Sequence, residues 1–220
     1  GDWEKKIHYE VAVGDGVYSG KFKDATGNAL TKQDDYSFNQ KSFFYGGKVV
    51  LSPFDGWEET KRTESYFGKG KHFEIGASYW KSPNIEYDDG VVAQTIDHEL
   101  INLEMSAHYK GAFVQAEWFQ FDGVVKKWGD AETGKSSGWY ATGEYVIEEL
   151  AYLAPFVRYE SWEKWDGAGD WDLESKIAGV NWYLRGNSTK VGLVFQEDTY
   201  GKDLGDYTDT RFKLTTQWFF

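Results

Sequence analysis

One pattern recurs along most of the chain: runs of about nine to eleven residues in which alternate side chains are apolar and uncharged while those between are polar. In "HELINLEMSAHYKG", Ile101, Leu103, Met105, Ala107 and Tyr109 fall on one side, and His98, Asn102, Glu104, Ser106 and His108 on the other. A period of two belongs to a strand with two different faces and does not suit a helix. The same alternation runs through "KIHYEVAVGDG", "FFYGGKVVLSPF", "KHFEIGASYW", "AFVQAEWFQF", "GWYATGEYVI", "LAPFVRYESW", "KIAGVNWYLRG", "KVGLVFQ" and the terminal "FKLTTQWFF". These runs predict an all-β chain of about ten strands, long enough to cross a bilayer when tilted.

Composition narrows the class. At 220 residues the chain suits one sizeable β domain spanning 1–220. Twenty-five Gly beside three Pro, with eleven Trp and fifteen Tyr, describe strands joined by tight turns. A formal net charge of -12 excludes nucleic acid as a partner, because its phosphates would be repelled. The absence of Cys excludes disulfides and thiolate metal sites. No run is long and apolar enough for a spanning helix, and "GDWEKKIHYE" does not read as a signal peptide, so an exported protein would be in processed form.

The connections alternate in length. Those at 110–111, 148–152 and 185–189 are short, whereas 14–42, 81–95, 122–138, 162–174 and 197–208 are long, polar and rich in Gly and Asp. That is the layout of an outer-membrane barrel, with short periplasmic turns and long extracellular loops. The 55–69 link breaks the rule and is read as a place for a helical turn or plug.

A soluble sandwich would fill its polar face with Lys, Glu, Thr and Ser, but here Glu is mixed with Asn, Gln, Gly, Ser, Tyr and a few cations. The opposite face is nearly free of charge, and Tyr45, Tyr79, Tyr109, Trp118, Trp139, Tyr159 and Trp218 lie near the ends of its apolar stripes, where a membrane-interface girdle would sit. The expected fold is therefore an antiparallel transmembrane β-barrel in the outer membrane of a Gram-negative cell. Its surroundings would be the lipid bilayer and lipopolysaccharide.

"SGWYATGEYVI", "LAPFVRYESWE", "KIAGVNWYLRGNSTKVGLVFQ" and "DTRFKLTTQWFF" resemble the C-terminal half of the phosphate-selective porin (O/P-type) family, and "KIHYEVAVGDG" and "KVVLSPF" resemble two of its earlier strands. The resemblance implies a porin-like passive channel. Members of the family are usually sixteen-stranded trimers, so this chain would be either a small relative or one lacking N-terminal strands, and a homo-oligomer is implied with it. The terminal aromatic Phe220 resembles the signal read by the barrel-assembly machinery, with Trp218 and Phe220 facing lipid at the periplasmic rim. The arginine ladder associated with phosphate selection in the family would lie largely outside these residues, so anion selectivity is not carried over.

Parity places Glu10, Glu74, Glu104, Glu117, Glu144 and Glu160 inside such a barrel, together with Lys48, Arg158, Lys190, Arg211 and Lys213. These are the candidate pore-lining residues; near-balanced charges either bias ion entry or pair across a narrow barrel and close it. Three other readings are weaker. His98 with Asp97 and Glu99 offers acid–base groups, but neighbours on a strand point to opposite faces. Asp166, Asp170 and Asp172, and likewise Asp203, Asp206 and Asp209, could gather around Ca²⁺ but lack the EF-hand spacing. A soluble Trp-rich carbohydrate-binding or hydrolysing sandwich would use aromatic platforms with Glu117 and Glu144 as its acid pair. A closed adhesive barrel acting through its loops completes the alternatives. No enzyme activity, cofactor or metal is expected.

Overall fold

The computed structural model describes residues 1–15, 18–19, 37–40, 42–54, 71–88, 93–125, 133–163, 172–187, 189–201 and 207–218. Its strands are β1 (Asp2–Trp3), β2 (Ile7–Gly14), β3 (Tyr18–Ser19), β4 (Ser37–Gln40), β5 (Phe44–Leu51), β6 (Lys71–Asp88) and β7 (Ala93–Tyr109), followed by β8 (Ala112–Val125), β9 (Thr133–Tyr145), β10 (Leu153–Glu163), β11 (Leu173–Asn187), β12 (Thr189–Tyr200) and β13 (Tyr207–Trp218). Eleven of them form one antiparallel sheet in the order β1-β2-β5-β6-β7-β8-β9-β10-β11-β12-β13. The short β3 pairs with β4, and β4 with the far end of β6. One 3₁₀ turn, Glu148–Leu150, is the only helical element among the described residues. No pairing among the described residues joins β13 back to β1 or β2, so the sheet is open where a closed barrel was expected.

The short connections follow turn chemistry. Lys110 and Gly111 both have positive φ (47° and 87°), the requirement of a two-residue type I′ hairpin, and they sit between the paired Tyr109 and Ala112. Glu4 and Lys5 repeat the device (φ 51° and 54°) between Trp3 and Ile7, with the Lys6 N–H donating to the Trp3 carbonyl at 3.0 Å.

Two expected loops are largely strand. Residues 81–95 are expected from their polarity to be a long loop, yet β6 continues to Asp88 and β7 starts at Ala93. Pro83 and Asn84 instead mark a bulge: the register shifts between Ser82 and Ile85, and Asn84 takes a positive φ of 53°. Likewise "FDG" is a bulge in β8, with Gly123 at φ +80°, and the expected 122–138 loop loses residues to both β8 and β9. Asp97 ties the two bulges together, since Oδ1 accepts from the Asn84 N–H at 2.9 Å and its carbonyl packs against Gly123 so closely that a Cβ there would collide.

The sheet's two faces are inverted relative to a soluble protein. Side chains of the apolar face are exposed: Val11 83%, Phe212 77% and Leu214 75%. Polar side chains on the other face are buried: Glu74 0%, Ser106 1% and Asp198 3%. The apolar face forms a continuous band. On β7 it runs from Ile101 to Tyr109, about 27 Å along the strand and about 20 Å high at the tilt of a barrel strand. Beyond the band toward the long connections, the same face carries ion pairs: Lys81 with Glu99 (2.6 Å) and Asp97 (3.1 Å), Lys135 with Asp122 (3.3 Å), and Lys176 with Glu197 (3.3 Å).

Candidate functional site

The polar face is built from residues that the register brings side by side across strands. One row runs Gly76, Glu104, Glu117, Tyr140, Glu160, Ser175, Asp198 and Asp209 from β6 to β13. Placing Glu104 directly opposite Glu117 would be repulsive, and each carboxylate is instead satisfied sideways. Lys48 Nζ lies 2.7 Å from Glu104 Oε1. Glu117 accepts from Asn102 Nδ2 at 2.5 Å and from the Tyr140 hydroxyl at 2.9 Å. Arg158 pairs with Glu160, donates to Thr142 Oγ1 at 3.0 Å, and lies 3.8 Å from the centre of the Tyr140 ring. Further along, Arg211 pairs with Asp198, which also accepts from Ser175 at 2.5 Å and Gln196 at 2.8 Å, and Lys213 donates to Gln196 at 2.6 Å. The result is a belt of alternating donors and acceptors.

Aromatic side chains share this face, each laid over a glycine on the strand beside it. Phe44 pairs directly with Gly14, Trp80 with Gly46, Phe119 with Gly138 and Phe156 with Gly179. A Cβ on these glycines would meet the ring at 2.8, 2.5, 2.8 and 2.7 Å respectively. The rings therefore lie against the sheet. Each is half-buried, and the Phe44 and Trp80 rings lie 6.5 Å apart, centre to centre.

Toward the short turns the polar face closes up. His72 and His108 are paired across β6 and β7 with rings stacked 5.3 Å apart, and His72 Nε2 lies 3.4 Å from Glu74 Oε2. Glu74 also accepts from Ser106 at 3.2 Å. Val146, Ala154 and Tyr183 form a small buried core there, and the Tyr183 hydroxyl donates to Glu144 at 2.8 Å. Lys190 lies 5.7 Å from the centre of the Tyr183 ring. At the other edge His8 bridges Asp2 (2.8 Å) and Glu10 (2.9 Å).

All eleven candidate lining residues, from Glu10 to Lys213, thus fall on the polar face, and Tyr45, Tyr79, Tyr109, Trp118, Trp139, Tyr159 and Trp218 on the other. Phe220 and the whole 55–69 link lie outside the described residues. So do Asp166, Asp170, Asp203 and Asp206 of the acidic clusters; among the described residues no group of three or more His, Cys, Asp and Glu is placed to hold a metal. Glu117 and Glu144 do not face each other. Their rungs are four residues apart on β9, about 13 Å, and each serves different partners.

Asp97 turns away from His98, to Asn84 and Lys81. The Asn84 N–H and then the Lys81 ammonium hold its carboxyl below the usual carboxylate range, and Glu99 and Asp97 raise Lys81 above the usual lysine value. Burial pushes the His98 imidazole down.

Sequence analysis did not single out the four aromatic platforms, although the parity that puts Tyr45, Tyr79, Trp118 and Val157 on the apolar face puts Phe44, Trp80, Phe119 and Phe156 on the polar one. Their signal is the glycine opposite each ring, visible only once the register is known. No protein-family model matches this chain, and a search of curated proteins finds no significant match.

Proposed function

We propose that the sheet is the wall of an outer-membrane β-barrel that works as a porin-like passive channel for small hydrophilic solutes and ions. One observation carries this reading: the exposed face is an uncharged apolar band, and the sheltered face is a belt of ion pairs. In water that arrangement would leave apolar surface bare and bury charge, both costly. In a bilayer each face meets the solvent that suits it. In this reading the free edges at β13 and at the β1–β2 hairpin are paired in the membrane, since lipid offers bare strand edges no hydrogen-bond partner. Lipid and lipopolysaccharide surround the band, and protomers associate as a homotrimer.

Acidic side chains outnumber basic ones on the polar face, so the channel favours cations weakly. The test is conductance and reversal potential of the refolded chain in planar bilayers under a salt gradient. Discrete steps with a cation preference, reduced in Glu104→Gln, support the channel. Silence from a folded, inserted chain overturns it and favours a closed barrel acting through its loops, for which the belt of ion pairs would be the seal.

A further inference from the structure

Ions alone need no flat aromatic surfaces, yet four of the rings on the polar face are set against glycines. Trp80 lies on the long-connection side of the belt formed by Lys48, Glu104, Asn102, Glu117, Tyr140, Arg158 and Glu160, Phe119 lies within the belt on the rung of Asn102, and Phe156 lies on the other side. Each ring is set so close to a glycine that a Cβ there would collide with it, which restricts where the ring can move. Rigid aromatic faces supply contact area at little cost in conformational entropy. The belt between them is charged but paired, so it offers many donors and acceptors with little net field.

A solute matched to both features has apolar ring faces and a rim of hydroxyl groups. We infer that this surface is a binding path for neutral carbohydrate: pyranose faces stack on Trp80, Phe119 and Phe156 while hydroxyls exchange hydrogen bonds with Asn102, Glu117, Arg158 and Glu160. The inference rests on the channel reading for its direction of travel and not for the binding itself. An inorganic ion has no apolar face to lay on the rings, and an open-chain polyol has the hydroxyls without a ring face.

The test uses maltotriose as probe and sorbitol as control, with the protein refolded in lauryldimethylamine oxide, which carries no sugar. Two readouts are taken: block of ion current in bilayers, and titration calorimetry in the detergent. Maltotriose is expected to block and to bind, and sorbitol to do neither at equal concentration. Trp80→Leu and Phe119→Leu should each weaken maltotriose by about 2- to 10-fold, with Trp80→Phe restoring most of the loss. Folding of each variant is checked by heat-modifiable migration. Equal effects of maltotriose and sorbitol, or unchanged affinity in both leucine variants, overturn the carbohydrate path and leave the channel standing. Binding that is lost in Trp80→Leu without any conductance overturns the channel and keeps the carbohydrate surface.

Discussion

Trp80 lies across Gly46, its directly paired neighbour on β5, so closely that a Cβ at position 46 would come 2.5 and 2.6 Å from two ring atoms and 2.6 Å from the Tyr79 carbonyl oxygen. Neither the ring nor the backbone can retreat without disturbing the sheet. Gly46→Ala should therefore destabilise the fold by about 1–3 kcal/mol, the range of overpacking. Gly143→Ala is the control, because nothing lies within 4 Å of a Cβ there. Urea unfolding in detergent micelles should separate the two variants. Equal stabilities would mean that the indole does not occupy this place.

The Lys48–Glu104 pair, at 2.7 Å, balances charge on the polar face. Glu104→Gln leaves the ammonium without its carboxylate and should move the reversal potential toward anions, whereas Lys48→Gln should move it toward cations. Opposite signs from the two variants are the expected result in a salt-gradient bilayer recording. Shifts of the same sign, or none, would place the pair away from the ion path.

Leu103 sits in the middle of the apolar band on β7, between Ile101 and Met105. Leu103→Arg should cost about 2–4 kcal/mol of folding into a bilayer, the penalty of a cation near the midplane. Glu99→Arg, beyond the band and beside Asp97 and Asp122, should cost about 0–1 kcal/mol. Folded fractions after insertion into liposomes of graded urea content measure both. A harmless Leu103→Arg would mean that this face does not meet lipid.

The faces were legible in the sequence because a period of two leaves no choice once one face is uncharged: Ile101, Leu103, Met105, Ala107 and Tyr109 cannot be divided otherwise. The extents of β6 and β8 were not, since Pro83, Asn84 and Gly123 carry the same turn signal in a bulge as in a loop. What decides between them is Asp97, more than ten residues from either bulge, which accepts the Asn84 N–H and packs its carbonyl on Gly123. The belt was visible as a list of charges but not as pairs. Lys48 is 56 positions from Glu104, and only the order of β5, β6 and β7 brings them together. The aromatic platforms were hidden for the same reason, as the glycine that identifies Trp80 lies on a different strand.

Asp97 also sets a pH limit on the part of β6 and β7 that rises beyond the band. Its folded carboxyl titrates below the unfolded value because the Asn84 N–H and Lys81 favour the carboxylate. A lowered folded pKa adds stability that is fully present above the unfolded value of about 4 and is lost as pH falls through the folded one. Protection of the Asn84 amide against hydrogen exchange should therefore hold from pH 7 to about 5, after correction for the intrinsic rate, and fall progressively below about 4. Asp97→Asn keeps a side-chain oxygen but no charge, so its protection should be lower at neutral pH and flat across the range. A wild-type amide equally protected at pH 3 and pH 7 would mean that the carboxylate does not hold the bulge. A loss centred well above the carboxylate range would point instead to the neighbouring His98, whose imidazole charges as the solution is acidified.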